Sequence, residues 1–358
     1  MAGSRAFGIA SLYFLCMIIL AGCCDDCPEC PREPVSDFDI YIISSEGGHP
    51  IYIYNTDQQE IIDSIPSLVS TGSQLLDMDI SGDGTALLLS TQDNATIVAI
   101  SSLDTIAQFD FGGKIEVSRT GKYIAFGGSD SLHILDGATL SLITDTSIAN
   151  RTVKFSHDES LCYITDSSNS VYIYDIVGDS VYQTLTDFNG IGQFDFIVDA
   201  VPDISGDKLI LITMHPEHES WLFDYSLSED TITFRRWLNG YSIGEIRSTT
   251  DAELIIVTDP NQAGDGANYN HLIYIDMDVD QIQAFVGPGA YIQDSAMSAR
   301  YLYPGDFVST PDDRYTIVGG IRGCELFGII DNTEQIFSQI ISLPSGYGEK
   351  VFIGCAKK

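Results

Sequence analysis

Short apolar runs broken by small polar turns recur along most of the chain. Residues 81–118 show the unit most plainly. A tight turn, Ser81-Gly82-Asp83-Gly84, precedes runs at Ala86–Ser90, 96–100 and 105–111, and a further run, Lys114–Val117, leads into the next turn at Ser118. Runs this short, rich in β-branched and aromatic residues and bounded by Gly, Asp and Ser, predict strands rather than helices. Four strands and a turn in roughly forty residues read as one small antiparallel sheet, a unit of repeat size. With short loops and no chemically distinctive residues, this unit is expected to be structural only.

The turn with an apolar run behind it returns as SRTGKYIAFGG from Ser118, SHDESLCYITD from Ser156 and SGDKLILIT from Ser205. It returns again as STTDAELIIVTD from Ser248 and STPDDRYTIVGG from Ser309, the spacings being 37, 38, 49, 43 and 61 residues. A second strand follows each turn: IVAIS, SLHILDG, SVYIYDI, SWLFDY, HLIYIDM and CELFGIID. A third follows in most, as in TIAQFDF, LSLITDT and TITFRRWL. The pattern resembles the repeat of YVTN-type seven-bladed β-propellers (related to WD40-like repeats), with STPDDRYTIVGG and SRTGKYIAFGG as the nearest copies. The resemblance covers residues 37–358, and no blade carries the whole motif. It implies an all-β, seven-bladed β-propeller. It implies little about function, because the matching residues are turn and core positions.

Six turns account for six blades. The remaining strands are FDIYIIS, PIYIYN and QEIIDSIP near the start and KVFIGCA at the end. Together they form a seventh blade shared by both termini, which leaves the ring without an open edge. A rival register takes Ser345-Gly346-Tyr347-Gly348 as one more turn; it too closes the ring with both ends. Closure of this kind allows Cys27 or Cys30 to approach Cys355, where a disulfide would lock the ring; the pairing of Cys24, Cys27, Cys30, Cys324 and Cys355 stays open.

Composition adds a location. Arg5 is the sole charge before an apolar run at 6–21, which has the length of a signal-peptide core rather than of a membrane span. The run ends in Leu20-Ala21-Gly22-Cys23, which resembles a bacterial lipobox. That resemblance implies cleavage before Cys23 and lipid attachment to it, with the protein held at a membrane in the cell envelope, in the periplasm or at the surface. Cys24 stands where a retention aspartate would follow the lipidated cysteine, and Asp25 comes next, so inner and outer membrane stay open. Residues 1–22 are thus a signal peptide, 23–36 a Cys/Pro-rich tether and 37–358 the propeller. The tether's Cys24, Cys27 and Cys30 read as disulfides or free thiols, not as a metal cluster, since nothing nearby supplies a fold to hold one.

Net charge is −34, from 17 Lys plus Arg against 51 Asp plus Glu. Such a chain is repelled by nucleic acid and by acidic lipid headgroups, and its charge fits a solvated acidic surface first, or a cationic ligand or a salty habitat. No Gly-x-Ser-x-Gly, phosphate-cradling glycine loop or CxxCH occurs. No catalytic residue is assigned.

In a propeller, the loop between the second and third strands of a blade shares a face with the connection between blades. The long intervals place their extra residues in those loops, so function is expected over residues 187–304. His215, Glu217, His218 and the later His271 are candidate Zn²⁺ or Cu²⁺ ligands. Asp259, Asn261, Asp265 and Asn268 are oxygen donors of the kind Ca²⁺ takes. Arg300 and Tyr301 suit an anion or a protein partner. The expected activity is non-catalytic binding of a protein or small ligand. The alternative is a propeller enzyme, lactonase-like or quinoprotein-dehydrogenase-like, possessing a metal-assisted site on that face.

Overall fold

The computed structural model describes residues 38–150, 152–166, 169–186, 188, 196–214, 220–238, 245–248, 254–259, 271–276, 281–286, 291–293, 299–301, 304–310, 312–320, 326–334, 336–344 and 351–357. At 214, 220, 236–305, 326, 336 and 337 the description is of backbone alone. Every regular element among these residues is a β-strand.

The chain starts with β1 (Phe38–Ser44), β2 (Ile51–Asn55) and β3 (Glu60–Ile65). A second sheet holds β4 (Asp77–Ile80), β5 (Ala86–Ser90), β6 (Ala95–Ala99) and β7 (Thr105–Phe109). The third holds β8 (Lys114–Val117), β9 (Tyr123–Gly127), β10 (Leu132–Asp136) and β11 (Leu142–Thr146). The fourth holds β12 (Thr152–Phe155), β13 (Leu161–Thr165), β14 (Val171–Asp175) and β15 (Ser180–Leu185). The fifth holds β16 (Phe196–Pro202), β17 (Lys208–Met214), β18 (Ser220–Ser226) and β19 (Thr231–Leu238). The sixth holds β20 (Glu245–Ser248), β21 (Leu254–Asp259), β22 (His271–Asp276) and β23 (Gln281–Val286). A small hairpin, β24 (Tyr291–Gln293) and β25 (Ala299–Tyr301), precedes the seventh sheet. That sheet holds β26 (Pro304–Ser309), β27 (Tyr315–Gly320), β28 (Leu326–Asp331) and β29 (Ile336–Ser342). The last strand, β30 (Val351–Lys357), returns to pair antiparallel with β1, Ser44 opposite Val351 and Phe38 opposite Lys357. The first sheet therefore runs β3-β2-β1-β30, as the sequence pattern predicts.

Each sheet is a meander, and its leading strand lies beside that of the next: β30 touches β26 and β4, and contacts continue through β8, β12, β16 and β20. Alternation along the second strand then feeds two cores at once. Leu87 and Leu89 of β5 pack with Tyr41, Ile43 and Phe352 of the first sheet. Ala86 and Leu88 pack with Ile115, Ile124 and Phe126 of the third. A strand buried on both faces reads as an unbroken apolar run, which is why ALLLS and YIAFG show no polar alternation. The outer strands β7 and β15 are largely exposed. Cys162 is fully buried in the core between the third and fourth sheets, and burial pushes its thiol up to about 12. Cys355 carries no disulfide among the described residues; Cys27 and Cys30 lie outside them.

Three of the described turns between first and second strands share one hydrogen-bond scheme. Ser81 Oγ donates to Asp83 Oδ1 at 2.7 Å and accepts from the Ala86 N–H at 2.9 Å, while the Gly84 N–H donates to the Ser81 carbonyl. Ser156 with Asp158 and Thr310 with Asp312 repeat it. Two expected anchors shift accordingly. Asp203, not Ser205, receives the Lys208 N–H, and Thr310, not Ser309, holds the last turn. The unit also divides differently from its first reading. Lys114–Val117 pairs with β9 of the third sheet, and the strand that completes residues 81–109 is β4, ahead of the turn.

Buried carboxylates join neighbouring sheets. Asp77 accepts the Ile115 N–H at 2.8 Å, and Asp306 the Ile353 N–H at 3.0 Å. Asp199, fully buried, accepts from Thr152 Oγ1 at 2.6 Å.

Candidate ligand cleft

A cavity of about 630 Å³ opens between the second and third sheets. It lies where the β5–β6 turn, the β7–β8 connection and the β9–β10 turn meet. Antiparallel alternation puts these at one edge of the sheets, the edge on which the long loops were expected.

Local chemistry holds these segments together. The Gly113 N–H donates to Ser90 Oγ at 2.8 Å and to the Thr91 carbonyl at 3.1 Å. Gly113 has φ +135°, and a Cβ there would sit 2.1 Å from the Gly127 carbonyl oxygen. Only glycine lets the two backbones pass so closely. Asn150, nearly buried, donates through Nδ2 to the carbonyls of Ser131 at 2.9 Å and Ile148 at 3.1 Å; its Oδ1 makes no hydrogen bond.

His133 of β10 stands opposite Asp145 of β11 and Phe126 of β9. Its ring stacks on Phe111, centroids 3.9 Å apart and planes 11° from parallel, with Phe109 alongside Phe111 at 5.0 Å. Nε2 is 3.1 Å from Ser131 Oγ, and Nδ1 is 3.3 Å from Asp145 Oδ1 without hydrogen-bond geometry. Burial lowers the His133 pKa; Asp145 and Asp130 pull the other way and do not prevail. The imidazole stacked on Phe111 is therefore neutral at pH 7. Around it stand the carboxylates of Asp93, Asp110 and Asp130, all exposed, against one ammonium, Lys114. The cleft is an aromatic and glycine-backbone floor inside an acidic rim.

The residues singled out from sequence lie elsewhere. His215, Glu217, His218, Asn261, Asp265 and Asn268 fall outside the described residues, as does Cys23. Asp259 and His271 close one hairpin, directly opposite each other where β21 meets β22, so one residue from each of the two expected ion sites stands at the same strand ends. Arg300 pairs with Ile292, and Tyr301 with Tyr291, in the β24–β25 hairpin. Among the described residues no three His, Cys, Asp or Glu side chains cluster as a metal site. The cleft itself was missed because its parts come from two repeats. The available signal was Phe111 beside Asp110, inside the unit taken as plain.

No protein-family profile and no curated protein matches the chain. Solved structures do. One is the dihydro-haem d1 dehydrogenase NirN in complex with DHE, with a TM-score of 0.57 over 91% of this chain and 77% of that one. The fold is propeller-like. At 13% identity the likeness carries the fold and no more.

Proposed function

We propose that this chain is an exported, lipid-anchored, seven-bladed propeller that binds a ligand at the loop-bearing edge of its blades without transforming it. The observation that carries the binding reading is the 630 Å³ cleft floored by Phe111 and His133. Its volume falls in the usual range for small-molecule sites, and it joins an aromatic surface to a few polar groups. Ring closure is supported by the pairing of β30 with β1 and by contacts between the first and seventh sheets. Tyr54 of β2 donates to Gln339 Oε1 at 2.8 Å and meets the Phe327 ring edge-on at 5.2 Å. Anchorage is supported by Leu20-Ala21-Gly22-Cys23 after the apolar run, and more than one acyl chain on Cys23 would hold the protein firmly. The 23–36 segment then serves as tether.

Two measurements test the reading. Fatty-acid labelling of the full chain in a bacterial host should mark the wild type and not Cys23→Ser. Thermal-shift screening of the solubilised protein against small molecules should give hits that Phe111→Leu abolishes. Hits that survive Phe111→Leu would place the ligand elsewhere.

A hydrolase is the second reading, favoured by Ser131 and His133 on the cleft wall, with Asp145 behind the His133 ring at 3.3 Å. Here His133 Nε2 would take the Ser131 proton as Oγ adds to an ester carbonyl, then return it to the departing alcohol. Labelling of Ser131 by a fluorophosphonate, lost in Ser131→Ala, would establish this reading over simple binding.

A further inference from the structure

We propose that the turn-bearing face of the propeller lies against the membrane, with Val177 and Ile204 at the lipid surface and the loop-bearing edge turned away. The proposal rests on the lipid-anchor reading above and assigns the side of the fold that meets the lipid. The tether joins the fold at Phe38, the first residue of β1, which stands opposite Lys357 at the end of β30. A Cβ on Gly84 would lie 3.7 Å from the Ala356 Cβ and from the Lys357 carbonyl oxygen, so this strand end sits beside the β4–β5 turn. That turn touches the next one: a Cβ on Gly82 would meet the Gly121 Cα at 2.2 Å. The β12–β13 turn follows, since Thr120 donates through its N–H and Oγ1 to the Glu159 carboxylate at 2.6 and 2.7 Å. The tether therefore leaves from the face formed by these turns, opposite the edge that carries the cleft.

Chain length favours this side. Residues 23–36 reach at most about 50 Å when fully extended. β1 is an interior strand of its sheet, with β2 and β3 outside it. To bring the opposite edge to the membrane, the tether would have to pass β2 and β3, about 10 Å, and then run the length of β1, about 23 Å. That detour takes about two thirds of the reach. On the turn face it takes none.

The turn face also carries exposed apolar tips. The β14–β15 turn bonds back to the β12–β13 turn, the Ile176 N–H donating to the Ser160 carbonyl at 3.2 Å, so both lie on this face. Val177, at the β14–β15 tip, is 80% exposed, and Ile204, in the β16–β17 turn, is 51% exposed. Apolar side chains in such positions gain by entering the boundary between headgroups and acyl chains. The nearby carboxylates are already engaged: Asp83 and Asp158 each accept from hydroxyl and N–H groups of their own turns. Arg119, Lys122 and Arg314 stand among them. A face of mixed charge with apolar tips fits zwitterionic headgroups better than anionic ones.

The test uses the full lipidated chain in phosphatidylcholine vesicles, with the photo-cross-linker p-benzoylphenylalanine at Val177, Ile204, Asp93 or Asp130. All four side chains are exposed, so the core is untouched; Leu103, in the β6–β7 turn, replaces either turn position if a variant does not fold. Lipid cross-linking from Val177 and Ile204 should exceed that from Asp93 and Asp130 by about fivefold or more. Equal yields, or the reverse order, overturn the proposal and leave the anchor intact. Flotation of the wild type with the vesicles, lost in Cys23→Ser, checks the anchor separately. Wild-type protein that does not float removes the anchor reading and this proposal with it. Val177→Asp together with Ile204→Asp should lower cross-linking from Leu103 by about threefold while flotation persists. An unchanged yield shows that the tips do not meet the lipid and overturns their assignment.

Discussion

Asp77 and Ile115 hold two sheets together: the buried Asp77 carboxylate accepts the Ile115 backbone N–H at 2.8 Å across the seam. Its other oxygen accepts from the Met78 N–H at 2.9 Å. A buried hydrogen bond to a charged group contributes about 1.5–3 kcal/mol. Asp77→Ala should therefore destabilise the protein by about 2 kcal/mol, and Asp77→Asn, which keeps one acceptor, by less. Urea unfolding monitored by tryptophan fluorescence measures both. Equal stability of wild type and Asp77→Ala would show that the seam holds without this bond.

His133 sets an acid limit. Burial lowers its pKa below the ordinary 6.5, against the pull of Asp145 and Asp130. Above 6.5 the ring is neutral folded or unfolded and contributes no pH dependence. As pH falls from 6.5 toward the lower folded value, the unfolded chain takes up a proton the folded one refuses, and stability drops. His133→Gln should flatten the melting temperature across that window. The aspartates of the turns act lower down. Hydrogen bonds from Ser81 and Thr85 lower Asp83, and bonds from Ser156 and Ser160 lower Asp158. Their stabilisation is present above 3.8 and is lost as pH falls through their folded values.

Gly113 and Gly206 separate crowding from backbone strain. Both have positive φ, +135° and +72°. A Cβ at 113 would meet the Gly127 oxygen at 2.1 Å, whereas at 206 nothing lies within 4 Å. Gly206→Ala should cost about 1–2 kcal/mol, the left-handed penalty alone. Gly113→Ala should cost more and disturb the cleft, lowering ligand affinity as well as the unfolding midpoint.

Leu103 offers the opposite sign. It holds φ +62° in the β6–β7 turn, its N–H bonded to the Ala99 carbonyl at 2.8 Å, and its side chain is partly exposed. Asparagine tolerates this conformation better than leucine. Leu103→Asn should raise stability by about 0.5–1 kcal/mol, read as a higher melting temperature; a lower one would mean that the Leu103 side chain packs more than its exposure indicates.

The strands were legible because two-sided burial writes itself as short apolar runs, and Ser, Asp and Gly announced the turns that bond through them. The β6–β7 and β10–β11 turns were less legible. Leu103 and Leu140 occupy the left-handed position with no glycine to mark it. The anchor shift from Ser205 to Asp203 went unseen because either side chain can accept a backbone N–H, and only the Lys208 bond tells them apart. Phe111 and His133 lie in different repeats, and nothing in their spacing says that their rings stack.

By itself, then, the sequence determined the local units: strand periodicity, turn chemistry, the charge of the surface and the pairing of the last strand with the first. Each follows from interactions between near neighbours or from the need to leave no edge unpaired. Only the tertiary structure decided which sheets share a seam, that Asp77 reaches Ile115, and that Asp93, Asp110 and Asp130 ring one aromatic floor. Those relations depend on how whole sheets pack face to face, a distance no repeat spacing encodes.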